Sequence, residues 1–145
     1  VHVRKILTLK GAAVVTIGRS ASLAEAAARL RDERVGALVV SDDGVTIDGI
    51  VSERDIVRSL ASHGASTLGR PVGEAMTSDV LTCRPDDTVD RLMVLMTTQR
   101  IRHVPVVDDD GRLAGIVSIG DVVKHRVSEL EAENHVLHEY LHQGR

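Results

Sequence analysis

The sequence has no phenylalanine and no tryptophan, and Tyr140 is its only aromatic residue. Proteins that hold single-stranded nucleic acid by stacking need aromatic platforms, so that class is excluded. Charge offers no substitute. The 18 Lys and Arg are outnumbered by 21 Asp and Glu, interleaved along the chain, for a formal net charge of -3. A protein that tracks a phosphate backbone carries a basic excess. No apolar run approaches the roughly 20 residues needed to cross a bilayer, and no charged-then-apolar stretch of the secretory type opens the chain. Neither nucleic acid nor membrane is therefore expected as a partner. Cysteine occurs once, at Cys83, which rules out an intramolecular disulfide and fits a reducing, cytoplasmic setting. Cys83 reads as a small apolar residue on a buried strand; an intermolecular bridge is the other reading.

What is present is aliphatic. Of 145 residues 43% are hydrophobic, drawn from Val, Leu, Ile, Ala and Met, and 27% are charged. That balance fits one compact domain or two small halves sharing a core. A pocket for a nucleobase would have to grip it with aliphatic side chains and backbone.

The chain also repeats itself. GIVSERDIVR at 49–58 returns as GIVSIGDVVK at 115–124, 66 residues later. The same ungapped offset pairs VVT at 14–16 with VLT at 80–82, Arg34-Val35 with Arg100-Ile101, and Ser41-Asp42-Asp43 with Val107-Asp108-Asp109. One unit occurs twice. Each copy reads as β-α-β-β-α. In the first, 13–17 is a strand, Ser20 or Ser22 caps a helix with Leu23, Ala26, Ala27 and Leu30 on one face, 35–40 and 49–52 are strands around an Asp-Gly turn, and 54–62 is a helix. In the second, 80–83 is a strand and the helix after Pro85 carries Val89, Leu92, Met93 and Met96. Residues 104–107 and 113–118 are strands, and a helix begins at Asp121. Repeat one spans 1–62, a Gly/Ser/Thr/Pro linker 63–72, repeat two 73–127 and a helical extension 128–145. A single unit leaves a sheet face uncovered and is marginal alone. The pair, related by a pseudo-twofold axis, is the expected folding domain.

Residues 101–121, IRHVPVVDDDGRLAGIVSIGD, and their weaker echo around GIVSERD resemble the CBS domain, named after cystathionine β-synthase. Two in tandem are similar to a Bateman module, here a stand-alone, bacterial-type pair. Val39 stands where the family often has Pro. The resemblance implies a mixed α/β (α+β) fold, pairing through the sheets, up to two nucleotide clefts, and regulation of a partner protein by AMP, ADP, ATP or a related adenosyl compound.

The repeated Ser-x-x-Asp sits where a strand meets a helix. A helix N-terminus offers unpaired N–H groups and a partial positive charge to phosphate. Ser52 or Ser118 donates to a phosphate oxygen in this reading, while Asp55 or Asp121 accepts from ribose hydroxyls. Plain helix capping is the alternative for the same residues. By resemblance, one cleft joins Thr16, Val35, Gly36 and Ala37 to Ser118 and Asp121. The other joins Thr82, Ile101, Arg102 and His103 to Ser52, Arg54 and Asp55, and its arginines favour phosphate more strongly; a solvated surface is the other reading of Arg54 and Arg102.

No catalytic set is expected: there is no phosphate loop with Lys, no nucleophile elbow, and no argued Ser/His/Asp geometry. No cofactor or metal is required. The Asp runs at 42–43 and 108–110 fall on turns, where Asp is favoured for backbone reasons. His135, His138 and His142, at i, i+3 and i+7 on a helix, read as surface residues. In the tail, Val123, Val127, Leu130, Asn134, Leu137 and Leu141 alternate spacings of four and three, a short coiled-coil seam with one polar residue. It either packs on its own domain or forms a homodimer. The overall reading is a non-catalytic adenine-nucleotide sensor that acts on an unidentified protein. Its alternative is a ligand-free, dimeric interaction scaffold, with Cys83 as a redox link.

Overall fold

The computed structural model describes the backbone of residues 1–143 and the side chains through residue 141. In chain order its elements are α1 (Val3–Lys10), β1 (Thr16–Ile17), α2 (Leu23–Glu33), β2 (Ala37–Val40), β3 (Gly49–Ser52), α3 (Glu53–His63), a 3-10 turn (Gly64–Gly69), α4 (Val72–Ala75), α5 (Val89–Gln99), β4 (His103–Val107), β5 (Leu113–Ser118) and α6 (Ile119–Gln143). The 66-residue register is visible atom by atom. The Ser22 hydroxyl accepts from the Glu25 N–H at 3.1 Å to cap α2, and the Thr88 hydroxyl accepts from the Arg91 N–H at 3.2 Å to cap α5. Both helices end on an arginine in the left-handed region, Arg34 with φ 55° and Arg100 with φ 54°.

The strands differ between repeats, and one residue explains why. In repeat one β1 pairs parallel to β2, which pairs antiparallel to β3. The Val39 N–H donates to the Val15 carbonyl at 3.4 Å, which draws the incoming segment alongside. In repeat two the corresponding residue is Pro105, which has no N–H to give. The strand expected over 80–83 therefore does not form: Cys83 alone bridges to β4, and the sheet has two strands, β4 and β5. The strand expected over 13–17 shortens to Thr16–Ile17, and that over 35–40 to Ala37–Val40.

Two aliphatic cores result, and each takes a piece of the other repeat. Val3 and Ile6 of α1 are buried with Cys83, Leu92, Val104 and Val117 of repeat two. Val72 of α4, 66 residues beyond Ile6, is fully buried with Leu23, Leu38 and Val51 of repeat one. Backbone bonds fix both exchanges: the Val3 N–H donates to the Asp87 carbonyl at 2.9 Å, and the Val72 N–H to the Ala21 carbonyl at 2.8 Å. Neither α1 nor the ordered linker was expected from the sequence.

The exchanged segments run so close to β3 and β5 that only glycine fits beneath them. A Cβ on Gly49 would lie 2.7 Å from the Met76 sulfur and 2.8 Å from the Thr77 carbonyl oxygen; on Gly115 it would lie 2.7 Å from Leu7 Cδ2. A backbone atom cannot rotate away as a leucine tip can. Gly49→Ala is thus expected to cost about 1–3 kcal/mol by overpacking, and Gly115→Ala less. Equal losses in chemical denaturation would refute this account of Gly49.

The first turns of α6 pack inward, with Val122 fully buried and His125 7% exposed. Beyond them the apolar seam is uncovered. Val127, Leu130, Leu137 and Leu141 are all exposed, so within the chain the tail does not fold back on its own domain. Residues 144 and 145 and the side chain of His142 lie outside the described residues.

Candidate functional site

Each strand-to-helix corner closes as a capping box. The Ser52 N–H donates to Asp55 Oδ2 at 2.9 Å, and the Asp55 N–H donates back to Ser52 Oγ at 3.3 Å. In repeat two the Ser118 N–H donates to Asp121 Oδ2 at 2.8 Å and the Asp121 N–H to Ser118 Oγ at 3.1 Å. The capping alternative is therefore physically realised in both copies. Each carboxylate retains further accepting capacity beyond its cap, because an ionised carboxylate has about four lone-pair sites.

What meets that capacity differs between the corners. Thr77 Oγ1, an uncharged donor, donates to Asp55 Oδ1 at 3.3 Å. At the other corner Lys10 Nζ donates to Asp121 Oδ2 at 2.6 Å and to the Ile116 carbonyl at 2.8 Å. Lys10 is the residue that corresponds to Met76, so only the second corner has an ammonium bonded to its carboxylate. Burial pushes the Asp121 carboxyl up, but the Lys10 ammonium and the Ser118 N–H outweigh it and hold the group below its ordinary range.

His103 sits beside this second corner, opposite Ser118 in the β4–β5 register. Burial lowers its pKa, with Lys10 and Arg102 adding to that; the Glu53 and Asp121 carboxylates oppose it. Its ring also reaches repeat one. A Cβ on Gly36 would stand 3.0 Å from His103 Cε1 and 3.8 Å from Glu53 Oε1, so the bare backbone at Gly36 makes room for the imidazole.

The CBS-domain family profile matches this chain twice, over residues 6–62 and 72–128. The chain belongs to the CBS-domain family. Among solved structures it is 49% identical to the CBS-domain-containing protein ATU1752 from Agrobacterium tumefaciens, with a TM-score of 0.83, covering 87% of this chain and 99% of that one. It is 30% identical to the CBS domain protein PAE2072 from Pyrobaculum aerophilum, solved with AMP, with a TM-score of 0.78 and coverage of 92% and 99%. Among curated relatives, the mitochondrial CBS domain-containing protein CBSX3 of Arabidopsis thaliana is 40% identical over 124 residues. The match takes in 83% of this chain and 60% of that protein.

Within the CBS pair the expected site residues are spread over several places. Ala37 is buried and stands opposite Ser52 in β2–β3. Thr16 stands opposite Val39, and Val35 and Ile101 are half-buried against the cores of their own repeats. Arg54 and Arg102 are exposed. Thr82 is exposed at the edge of a cavity of about 560 Å³ formed with Leu92, Leu95 and Gln99. Asp55 borders a different cavity, of about 330 Å³. The sequence reading grouped His103 with Ser52 and Asp55; in the structure His103 stands opposite Ser118, and its ring also meets Gly36 and lies near Glu53, the neighbour of Ser52. It missed Lys10 and Thr77, both on segments to which it assigned no element. The 66-residue offset was the available signal, since it aligns Lys10 with Met76 just before each first strand.

Two other candidates are accounted for by the fold. The Asp43 carboxylate accepts from the Val45 and Thr46 N–H groups at 2.8 and 2.7 Å and from the Ser41 and Thr46 hydroxyls. Those bonds hold it far below the usual carboxylate range. Cys83 is 5% exposed, and burial with Asp87 nearby pushes its thiol up to about 12. A thiol so protonated is a poor redox link.

Proposed function

We propose that this CBS pair is a non-catalytic regulatory module whose Ser118–Asp121 corner binds an adenine nucleotide of the AMP, ADP or ATP type. The observation that carries this reading is the approach of Lys10 and His103 to Asp121 at the junction with Gly36. In this reading the N-terminus of α6 and Ser118 face the phosphate, and Asp121 accepts from the ribose hydroxyls. The aliphatic and backbone surface of Val35–Ala37, Thr16 and Ile101 holds the base. Ser52, Arg54 and Asp55 form a second corner of the same kind, with Thr82 apart from it at another cavity. The AMP held by the Pyrobaculum relative supports the ligand class. A ligand at the junction favours whichever arrangement of the repeats binds it more tightly, and that difference in affinity is the signal.

The uncovered seam of α6 supports a homodimer whose changing geometry an unidentified target protein reads. Asn134, with the exposed Val127, Leu130, Leu137 and Leu141 around it, sets the register between the two copies. The single buried cysteine supports a reducing compartment such as the cytoplasm; among the described residues no helix is long and apolar enough to cross a membrane.

The test is calorimetric titration of the chain with AMP, ADP, ATP and adenosine. No saturable heat with any of the four would overturn the reading. Lys10→Met, which gives corner two the residue found at corner one, separates its parts. It removes a competitor for Asp121 and a cation for phosphate, so adenosine should bind more tightly and the preference for AMP over adenosine should fall about tenfold. An unchanged ratio would remove Lys10 from the site.

A further inference from the structure

α3 and the linker diverge below Asp55 and enclose the cavity of about 330 Å³. Arg58, Ser62 and His63 of α3 line it together with Arg70 of the linker and Glu74 of α4. The acidic groups in this wall are already engaged. Glu74 accepts from the Arg70 guanidinium at 3.2 Å, and Asp55 accepts from Ser52 and Thr77. The donors are not engaged. Among the described residues the side chains of Arg58, Ser62 and His63 make no hydrogen bond or ion pair, and Arg70 Nε is buried with no acceptor. A buried N–H without a partner is a standing cost to the fold, relieved when an anion arrives.

This cluster is not a by-product of the repeat. Sixty-six residues on, the corresponding side chains of α6 are Lys124, Ser128 and Glu129, so a carboxylate replaces His63. There His125, standing where repeat one has Ser59, is buried with its Nε2 2.9 Å from Glu129 Oε1, a close though poorly directed contact. Repeat two thus sets a carboxylate against a buried imidazole where repeat one has His63 and Ser59.

We propose that the cavity is a further ligand site, apart from the Ser118–Asp121 corner and bordered by Asp55 of the other corner, which takes a phosphate group through Arg58, His63, Ser62 and Arg70 Nε. Planar guanidinium groups match phosphate oxygens two at a time. The volume lies at the lower end of small-ligand pockets, about 300–1,000 Å³, and so admits either free phosphate or a small phosphorylated metabolite. Because α3 starts at the Ser52–Asp55 corner and ends in this wall, occupancy here bears directly on that corner.

The experiment is an amide-resolved NMR titration of the full chain with inorganic phosphate and, separately, ribose 5-phosphate, at constant ionic strength. Saturable shifts centred on residues 58–63 and 70 are expected, weakened at least tenfold in the double variant Arg58→Gln, His63→Gln. Both side chains are exposed and unpaired, so the variant keeps the fold, as its melting curve will verify. Equal affinities for the two probes assign the site to the free anion; tighter ribose 5-phosphate assigns it to a metabolite. Absence of saturation with both probes, or undiminished binding in the double variant, overturns the proposal. Neither outcome depends on whether AMP binds, so failure here is distinguishable from failure of the nucleotide reading.

Discussion

Asp121→Ala is expected to weaken AMP binding about 100-fold, a loss of about 2.7 kcal/mol. Hydrogen bonds from ribose hydroxyls to a carboxylate are worth about 1.5–3 kcal/mol each, and two are removed. Against that sum stands the bridge from Lys10 Nζ, 2.6 Å from Oδ2, which the nucleotide must displace in the wild type and need not in the variant. The net loss is therefore placed near the lower end. Two controls separate binding from folding. Removing a capping side chain costs about 1 kcal/mol of stability, so the variant should melt lower by a few degrees and still fold. Asp121→Asn retains an acceptor for the Ser118 N–H and should keep the melting point while still losing most of the affinity. An Asp121→Ala chain that titrates with AMP like the wild type would remove this corner from the site.

The repeat was readable because it is written in the order of residues. Ser22 and Thr88 occupy matching places in the two copies, as do Arg34 and Arg100, and each pair performs one backbone task, a cap or a left-handed turn. The corners were readable for the same reason: Ser-x-x-Asp at a strand end dictates its own local bonds. What could not be read depends on which surfaces meet. Residues 1–12 carry a helical spacing in Val3, Ile6 and Leu7, but nothing in that spacing says the stripe is buried under the other repeat. The approach of Lys10 to Asp121 follows from the exchange, as does the crowding over Gly49. Strand pairing sets His103 opposite Ser118 inside its own repeat, while its ring also reaches Gly36 and Glu53 beside the Ser52 corner, a double placement that the order of residues does not convey. The failed strand at 80–83 was within reach. Pro105 stands in the second copy where the first has Val39, and it has no N–H to give the segment that needs one.

The exchange itself predicts where damage will travel. Ile6→Ala should destabilise the chain by about 2–5 kcal/mol, the range for removing most of a buried aliphatic side chain and leaving a cavity. Ile6 is 3% exposed and packs among residues of repeat two, although it lies before the first strand of repeat one. Amide exchange should therefore quicken in α5, β4 and β5, the elements whose core it completes, and stay slower in β1–β3. Val72→Ala, at the matching position of the other exchange, should do the reverse, loosening β2 and β3 around Leu38 and Val51. Two substitutions at the margins of the repeats would then each unsettle the repeat on the far side of the molecule. Were Ile6→Ala instead to loosen β1–β3 first, α1 would belong to repeat one after all. The bridge from Lys10 to Asp121, which rests on where α1 docks, would have to be abandoned with it.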